Sequence, residues 1–244
     1  MPSLSKSRAI VLHLTRQGDS GAVVEVIDSS AGRQPLFLRG LGRGRGVSVS
    51  AFHNLAILDV VTYATPRSSL LYLREYSPAF PLEGIRSDMS KSTTALFISE
   101  VLYRTQKRDD GDAELFKWLE ESILALNDLQ GPAANFHLWW MAGYCARCGF
   151  RPEDNWSPER PLFDMVSARF TAQNGLYAED QLLSAEESQL LHRLLGATLE
   201  EALAIPLSAA RRQAFSRQMI KYLSIHFGAA FDIKSLDILH AVFA

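Results

Sequence analysis

The chain has 244 residues, 47% of them hydrophobic, which is enough for one large or two small packed domains and excludes general disorder. No apolar run approaches the roughly 18 residues that span a bilayer, and Met1 to Arg8 lack the apolar stretch of a secretory signal, so we expect a cytoplasmic protein. The net charge of −2 is uneven: residues 1–80 carry +4, residues 81–205 carry −9 and residues 206–244 carry +3. This asymmetry favours a local anion-binding surface, although chance also produces it.

The first 80 residues have the pattern of β-structure. Five short runs rich in β-branched and aromatic residues are separated by turn clusters. In the third run, Leu36 and Leu38 share one face, and Phe37 and Arg39 share the other. Five strands without a long helix predict a small closed barrel or a sandwich, and a barrel leaves few exposed edges. The runs are Arg8–Thr15, Gly21–Asp28, Gln34–Gly40, Leu55–Thr65 and Ser69–Tyr76.

From about residue 88 the hydrophobic period becomes helical. Asp112 is the expected N-cap of one helix, and the stretch beginning at Ser184 forms a capping box for another. A final long helix is predicted from Ser208 to Phe227, with Gly228 just after its end.

The two periodicities meet near residues 78–87, where Pro78, Pro81 and Gly84 interrupt both. We therefore predict an α+β protein with a β domain over residues 1–80 and a mainly helical domain over residues 81–244. A small β-like insertion is expected near residues 162–177.

Arginine and glycine alternate in residues 39–46, Arg-Gly-Leu-Gly-Arg-Gly-Arg-Gly, and no acidic residue occurs between Asp28 and Asp59. Glycine lets a backbone approach a ligand closely, and arginine pairs with phosphate through two parallel hydrogen bonds. The stretch predicts a clamp on a nucleic-acid backbone, but a hairpin loop that arginines merely keep soluble fits as well.

Aromatic side chains provide surfaces on which unpaired bases stack. Phe37 is the stronger candidate because it shares a strand face with Arg39. Most aromatic residues of a barrel belong to its core, so the others are individually weak candidates. They are Phe52, Tyr63, Tyr72 and Tyr76.

Motifs for metal binding and catalysis are missing. Cys145 and Cys148 have the spacing of a zinc pair, but a structural zinc needs four ligands and the chain has two cysteines. Their helical context favours two buried thiols, and a redox pair would need a thioredoxin-like setting. Six scattered histidines and the absence of common catalytic motifs favour a binding protein that is not an enzyme and has no cofactor.

The order and spacing of several segments resemble the RecO family of bacterial DNA repair mediators, and the likeness covers nearly the whole chain. The segments that carry it are Ala-Ile-Val-Leu at 9–12, Ala-Val-Val-Glu-Val at 22–26, Phe-Leu-Arg-Gly at 37–40 with the basic stretch to residue 50, Phe-His-Leu-Trp at 136–139, Cys-Gly-Phe-Arg-Pro at 148–152 and Ile-Lys-Ser-Leu-Asp-Ile-Leu at 233–239.

The resemblance implies a five-stranded OB-fold barrel followed by a helical domain, in a nucleoid-associated protein. It implies binding of single- and double-stranded DNA, strand annealing, and partnership with RecR and the single-strand-binding protein. The implied role is the loading of RecA onto coated single strands during recombinational gap repair. The candidate DNA contacts are Lys6, Arg8, Arg33, Phe37, Arg39, Arg43 and Arg45.

Many members of this family carry a four-cysteine zinc site after the Gly-x-x-Pro segment. The corresponding residues 162–170 contain no cysteine, and Cys145 and Cys148 precede Gly149. The chain thus looks like the zinc-free branch seen in Bacteroidetes-type members, and we expect no metal. Elemental analysis tests this, and stoichiometric zinc that survives dialysis would contradict it.

The resemblance also implies a site for the C-terminal tail of the single-strand-binding protein, which is acidic and ends in an apolar residue. The segment after Pro206 is the better host, because no acidic residue occurs there before Asp232; the alternative is that its cations only solvate a helix. The candidates are Arg211, Arg212, Arg217 and Lys221 beside the apolar Phe215, Met219 and Tyr222, with Lys91, Arg104 and Lys107 as the second choice.

Two other functions compete with a DNA-binding mediator. The overall acidity favours a scaffold whose barrel binds protein and not DNA. A metal-dependent nuclease would need clustered carboxylates in the basic region. The acidic residues there are widely spaced: Asp19, Glu25, Asp28 and Asp59.

Overall fold

In a computed structural model, the chain forms two compact units, residues 1–130 and 131–244. The described residues are 4–19, 21–40, 48–65, 68–108, 111–172 and 178–244. Within these ranges, the first unit contains a barrel and three α-helices, and the second contains five α-helices and a two-stranded sheet. The change from strands to helices falls between Pro78 and Glu83, where the two sequence periodicities meet.

Five strands close into a barrel in the order β1-β2-β3-β5-β4. All neighbours are antiparallel except β3 and β5, which run parallel over Leu36–Leu71 and Phe37–Tyr72. This is the topology of an OB-fold, as predicted. The strands are β1 (Leu4–Gln17), β2 (Gly21–Asp28), β3 (Gly32–Arg39), β4 (Ile57–Thr65) and β5 (Ser68–Pro78).

Alternation along β3 decides which of its side chains fill the barrel. Leu36 and Leu38 are buried, whereas Phe37 is partly exposed and Arg39 is exposed. A short 3-10 helix, Val49–Phe52, places Phe52 inside the barrel, where it packs against Tyr76 with ring centroids 4.9 Å apart. Because side chains from every strand meet in this core, it fixes the register and therefore the outward positions as well.

Three helices complete the first unit: α1 (Glu83–Ser87), α2 (Met89–Thr105) and α3 (Ala113–Asp128). Asp112 caps α3 by accepting a hydrogen bond from the Leu115 amide, as the sequence predicts. Asp88 caps α2 in the same way. Lys91 is buried, and its amine donates to the carbonyls of Asn127 and Leu129 at the end of α3.

The second unit has a helical core. Its elements are α4 (Phe136–Arg147), β6 (Leu162–Asp164), β7 (Arg169–Thr171), α5 (Ala185–Leu195), α6 (Leu199–Leu203), α7 (Ala209–Phe227) and α8 (Ser235–Val242). Ser184 forms the predicted capping box with Glu187, and α7 ends at Gly228, whose positive φ of 65° suits glycine. The small sheet β6–β7 lies within the range in which the sequence predicts a β-like insertion. Across the described ranges, no helix combines the length and apolarity needed to cross a membrane.

Candidate nucleic-acid interface

Three aromatic side chains form a continuous row on the outer surface of the barrel. Tyr72 lies between the other two, because β5 pairs with β3 at Phe37 and with β4 at Tyr63. The centroid of the Tyr72 ring is 5.5 Å from that of Phe37, edge to face, and 5.4 Å from that of Tyr63, nearly parallel. We call Phe37, Tyr72 and Tyr63 the aromatic row. Leu4 pairs with Tyr63 on the next strand and is half exposed.

Arg39 adds a cation to the aromatic row. Its guanidinium carbon lies 4.5 Å from the centroid of the Tyr72 ring, within range of a cation–π interaction. Arg39 has no ion pair with a described carboxylate, so its charge faces solvent. Arg39 is the first residue of the glycine–arginine stretch, but Arg43 and Arg45 lie outside the described residues, and their contact with DNA stays a prediction.

Arg33 is on the outer face of β3 but lies against the end of α2. Its guanidinium donates to the carbonyls of Tyr103 at 2.5 Å and Gln106 at 3.3 Å, and its Nε is 3.3 Å from Glu25 Oε2. Arg108 also contacts Glu25, at 3.4 Å. These contacts cover one end of the β2–β3 surface that OB-folds commonly use for ligands. The geometry favours a structural role for Arg33, and its DNA contact stays a prediction.

Arg8 and Lys6 lie on the outer side of β1. Arg8 forms ion pairs with Asp59 at 3.0 Å and with Glu120 of α3 at 3.1 Å, and these carboxylates raise its pKa. Its guanidinium also lies over the ring of Phe80 at 5.6 Å. Lys6 is exposed and has no ion pair with a described carboxylate. Of these two predicted contacts, Lys6 presents its charge to solvent, whereas Arg8 joins the barrel to α3.

In the second unit, the basic residues of α7 meet carboxylates from other segments. Arg211 pairs with Glu186 at 2.9 Å, and Arg217 is 3.6 Å from Asp237. The Lys221 amine contacts both the backbone carbonyl and the carboxylate of Asp180. All of these pairs are at the surface. The apolar neighbours that the sequence analysis assigned to the same site, Phe215, Met219 and Tyr222, are buried in the helical core.

Arg212 differs from the other α7 cations because it points into the second unit. Its guanidinium donates to Asn135 Oδ1 at 3.0 Å, to the Leu207 carbonyl at 3.1 Å and to the Phe243 carbonyl at 3.2 Å. Burial lowers its pKa. Asn135 in turn donates to the carbonyl of Ile205 at 2.8 Å. These bonds connect the segments before α4 and α7 with the end of α8, which favours a structural role for Arg212.

The second-choice cations for a partner tail fall into two kinds. Lys91 is buried against α3, whereas Arg104 and Lys107 are exposed near the end of α2. Arg104 lies 3.9 Å from Glu100.

Tyr63 and Tyr72 are more prominent on the outer surface of the barrel than the sequence predicts. Each was one weak candidate among several barrel aromatics, and two of the others, Phe52 and Tyr76, pack in the core. The outward pair, Tyr63 and Tyr72, differs from the core pair in its position relative to the β3–β5 and β4–β5 strand pairings. No local sequence pattern specifies these pairings. Once the register is known, Tyr63 and Tyr72 fall outside the barrel.

The cysteines do not suggest a metal site. Cys145 is buried in α4, and burial raises the pKa of its thiol, while Cys148 is half-buried at the end of the helix. Over the described ranges, no three His, Cys, Asp or Glu side chains come close enough to hold a metal ion. The absence of metal stays a prediction for elemental analysis.

Comparison with known proteins places the chain in a family. Residues 86–237 match the family model described as "Recombination protein O C terminal". Over nearly the full length of both chains, the protein is 28% identical to the DNA repair protein RecO of Phocaeicola vulgatus, covering 99% of this chain and 100% of that one. It is 28% identical to RecO of Flavobacterium johnsoniae, covering 98% and 99%, and 27% identical to RecO of Porphyromonas gingivalis, covering 97% and 98%. With the barrel and the family match together, the chain belongs to the recombination protein O family of DNA repair proteins.

Proposed function

We propose that the protein is a non-enzymatic recombination mediator whose barrel binds DNA across the aromatic row. The observation that carries this proposal is the alignment of Phe37, Tyr72 and Tyr63 on the outer surface of the barrel, with the exposed Arg39 guanidinium above Tyr72. Bases of a single strand stack on such rings, and arginine supplies both phosphate contact and charge.

The surroundings of the aromatic row agree with a polyanionic ligand. The chain has no acidic residue between Asp28 and Asp59, a range that contains Arg39 and the whole glycine–arginine stretch. Two other outward arginines of the barrel, Arg8 and Arg33, form ion pairs with carboxylates. Double-stranded DNA would use the phosphate contacts alone, because its bases are not free to stack on the row.

The mediator role rests on the family. Relatives over the full length are DNA repair proteins. By the resemblance, we propose that the protein anneals complementary strands and, with RecR, helps load RecA onto strands coated by the single-strand-binding protein. We place the tail of that protein on the exposed cations of the second unit, Arg211, Arg217 and Lys221, without Arg212.

The test is a salt-titrated binding curve with a single-stranded oligonucleotide. Tyr72→Ala should weaken binding about fivefold to a hundredfold, since one base–aromatic stack contributes about 1–3 kcal/mol. Tyr72→Phe, which keeps the ring, should bind nearly as the wild type does. Arg39→Ala should reduce the log–log salt slope by about 0.7, the value for one phosphate contact on a single strand.

The matched control is Arg151→Ala, which removes an exposed arginine from the second unit. It should change neither affinity nor slope. A wild-type protein that binds no DNA, or binds it with no salt dependence, would contradict the proposal and favour the scaffold whose barrel binds protein. Cleavage of labelled DNA in the presence of Mg²⁺ or Mn²⁺ would contradict the non-enzymatic part alone.

A further inference from the structure

The interior of the barrel is apolar at one end and polar at the other. At the end that holds the 3-10 helix, the inward residues form an apolar core that includes Leu38, Phe52 and Leu58. Further along the same strands, the inward positions become polar. Gln34 follows the alternation of Leu36 and Leu38 on β3, and Thr62 pairs across β1–β4 with Ser5.

A cavity of about 220 Å³ opens at this polar end. Sites for drug-sized ligands begin at about 300 Å³, so the space suits a smaller group, such as one flat heterocycle. Barrel mouths are frequent places for ligands. The residues that line the cavity include Ser5, Asp28, Gln34, Thr62 and Tyr63.

Two of these polar groups are arranged for recognition. The Asp28 carboxylate is held in place, because it accepts hydrogen bonds from the Ser7 hydroxyl and from the Ser30 amide and hydroxyl at 2.9 and 2.7 Å. The Gln34 side chain has no hydrogen-bond partner in the part of the chain that the structure describes. A fixed acceptor beside an amide that can donate or accept matches the Watson–Crick edge of a nucleobase.

Charge decides which part of a nucleic acid could enter. The Asp28 carboxylate would repel a phosphate, so the backbone stays outside. The amino group of cytosine or adenine can donate to Asp28, while the adjacent ring nitrogen accepts from the Gln34 amide. Thymine has a carbonyl where cytosine has the amino group, and that carbonyl would face the carboxylate unfavourably.

Tyr63 connects the cavity with the aromatic row, because its ring stacks on Tyr72 and its residue lines the mouth. We propose that the mouth of the barrel takes one unstacked base from a single strand lying on the aromatic row, with Asp28 and Gln34 reading its Watson–Crick edge. This inference rests on the proposed DNA binding. It gives the barrel a preference among bases that stacking and phosphate contacts alone would not produce.

The experiment compares affinities for oligo(dC) and oligo(dT) of one length at one salt concentration. These two homopolymers differ in hydrogen-bonding groups, and both stack weakly. The wild type should bind oligo(dC) about threefold to tenfold more tightly, the range expected for one or two hydrogen bonds. Gln34→Leu should bring the ratio close to one and leave the salt slope unchanged.

Gln34→Glu is the second variant, since it keeps the shape of the side chain but cannot donate to the ring nitrogen when ionised. It should also lose the preference. The control is Gln189→Leu, the same change at an exposed position of α5, which should keep the wild-type ratio. If the wild type and both Gln34 variants have the same ratio of oligo(dC) affinity to oligo(dT) affinity, the base pocket is contradicted, although DNA binding itself is not. Absence of DNA binding by the wild type would instead overturn the proposed function.

Discussion

The outer surface of the barrel and helix α7 are both rich in arginine, yet the two surfaces differ in what those arginines contact. On the barrel, Arg39 lies over an aromatic ring and has no ion pair with a described carboxylate. On α7, Arg211 and Arg217 pair with Glu186 and Asp237 at the surface. Arg212 is turned inward and bound to three oxygen atoms of its own unit.

A run of basic residues in a sequence does not by itself form a basic surface. Neither run contains an acidic residue. The tertiary structure determines which carboxylates from other segments pack against each run. Glu186 reaches α7 from α5, and Asp237 from α8. The barrel stretch around Arg39 receives no such neighbour among the described residues, which is why we place the DNA there.

The largest expected effect is on stability, at Arg212. Arg212→Ala removes three charged hydrogen bonds in a partly buried place and leaves the Asn135 amide oxygen without its donor. The free energy of unfolding should fall by about 2–3 kcal/mol. Urea unfolding of the full chain measures it. Arg211→Ala, which breaks an exposed ion pair, is the control and should cost about 0.5 kcal/mol or less. An equal loss of unfolding free energy in the two variants would contradict the structural role of Arg212.

The second expected effect is on the binding of DNA by the barrel. Arg43→Ala with Arg45→Ala should reduce the salt slope for double-stranded DNA by about 0.9 per lost phosphate contact, and for single strands by about 0.7. The loss should be nearly equal for unrelated DNA sequences, since phosphates carry no sequence information. The matched control is the double variant Arg211→Ala with Arg217→Ala, whose cations already face carboxylates. If the barrel variant keeps its slope and affinity, the glycine–arginine stretch is not a clamp.

The smallest expected effect concerns the partner tail on α7. Arg217→Ala with Lys221→Ala should weaken binding of an acidic peptide with an apolar last residue severalfold, because exposed charges mainly affect the association rate. Fluorescence anisotropy of a labelled peptide measures this, and DNA binding by the barrel should be retained. Unchanged peptide affinity would move the site to the exposed Arg104 and Lys107, since Lys91 is buried in its own unit.

Local patterns were sufficient for much of the fold. The alternation of Leu36 and Leu38 with Phe37 and Arg39 predicted the inward and outward faces of β3, because side chains of a strand alternate by geometry alone. The caps at Asp112 and Ser184 were equally visible, since a helix end is satisfied by residues within three positions. Helix α8 was not predicted, because it is short and depends on packing. The stretch that begins at Ser184 was expected to form one helix, but it contains two, α5 and α6.

Periodicity and the order of segments along the chain were sufficient to predict the fold class, the two faces of β3 and the family resemblance. The candidate site depends on contacts that form only in the tertiary structure. The tertiary structure brought Tyr63 and Tyr72 together through strand register, and it assigned Glu25 to Arg33 and Glu120 to Arg8. It also left Gln34 at the open end of the barrel. The physical reason is that each of these contacts joins residues from different elements, and long-range pairing leaves no local signal in either segment.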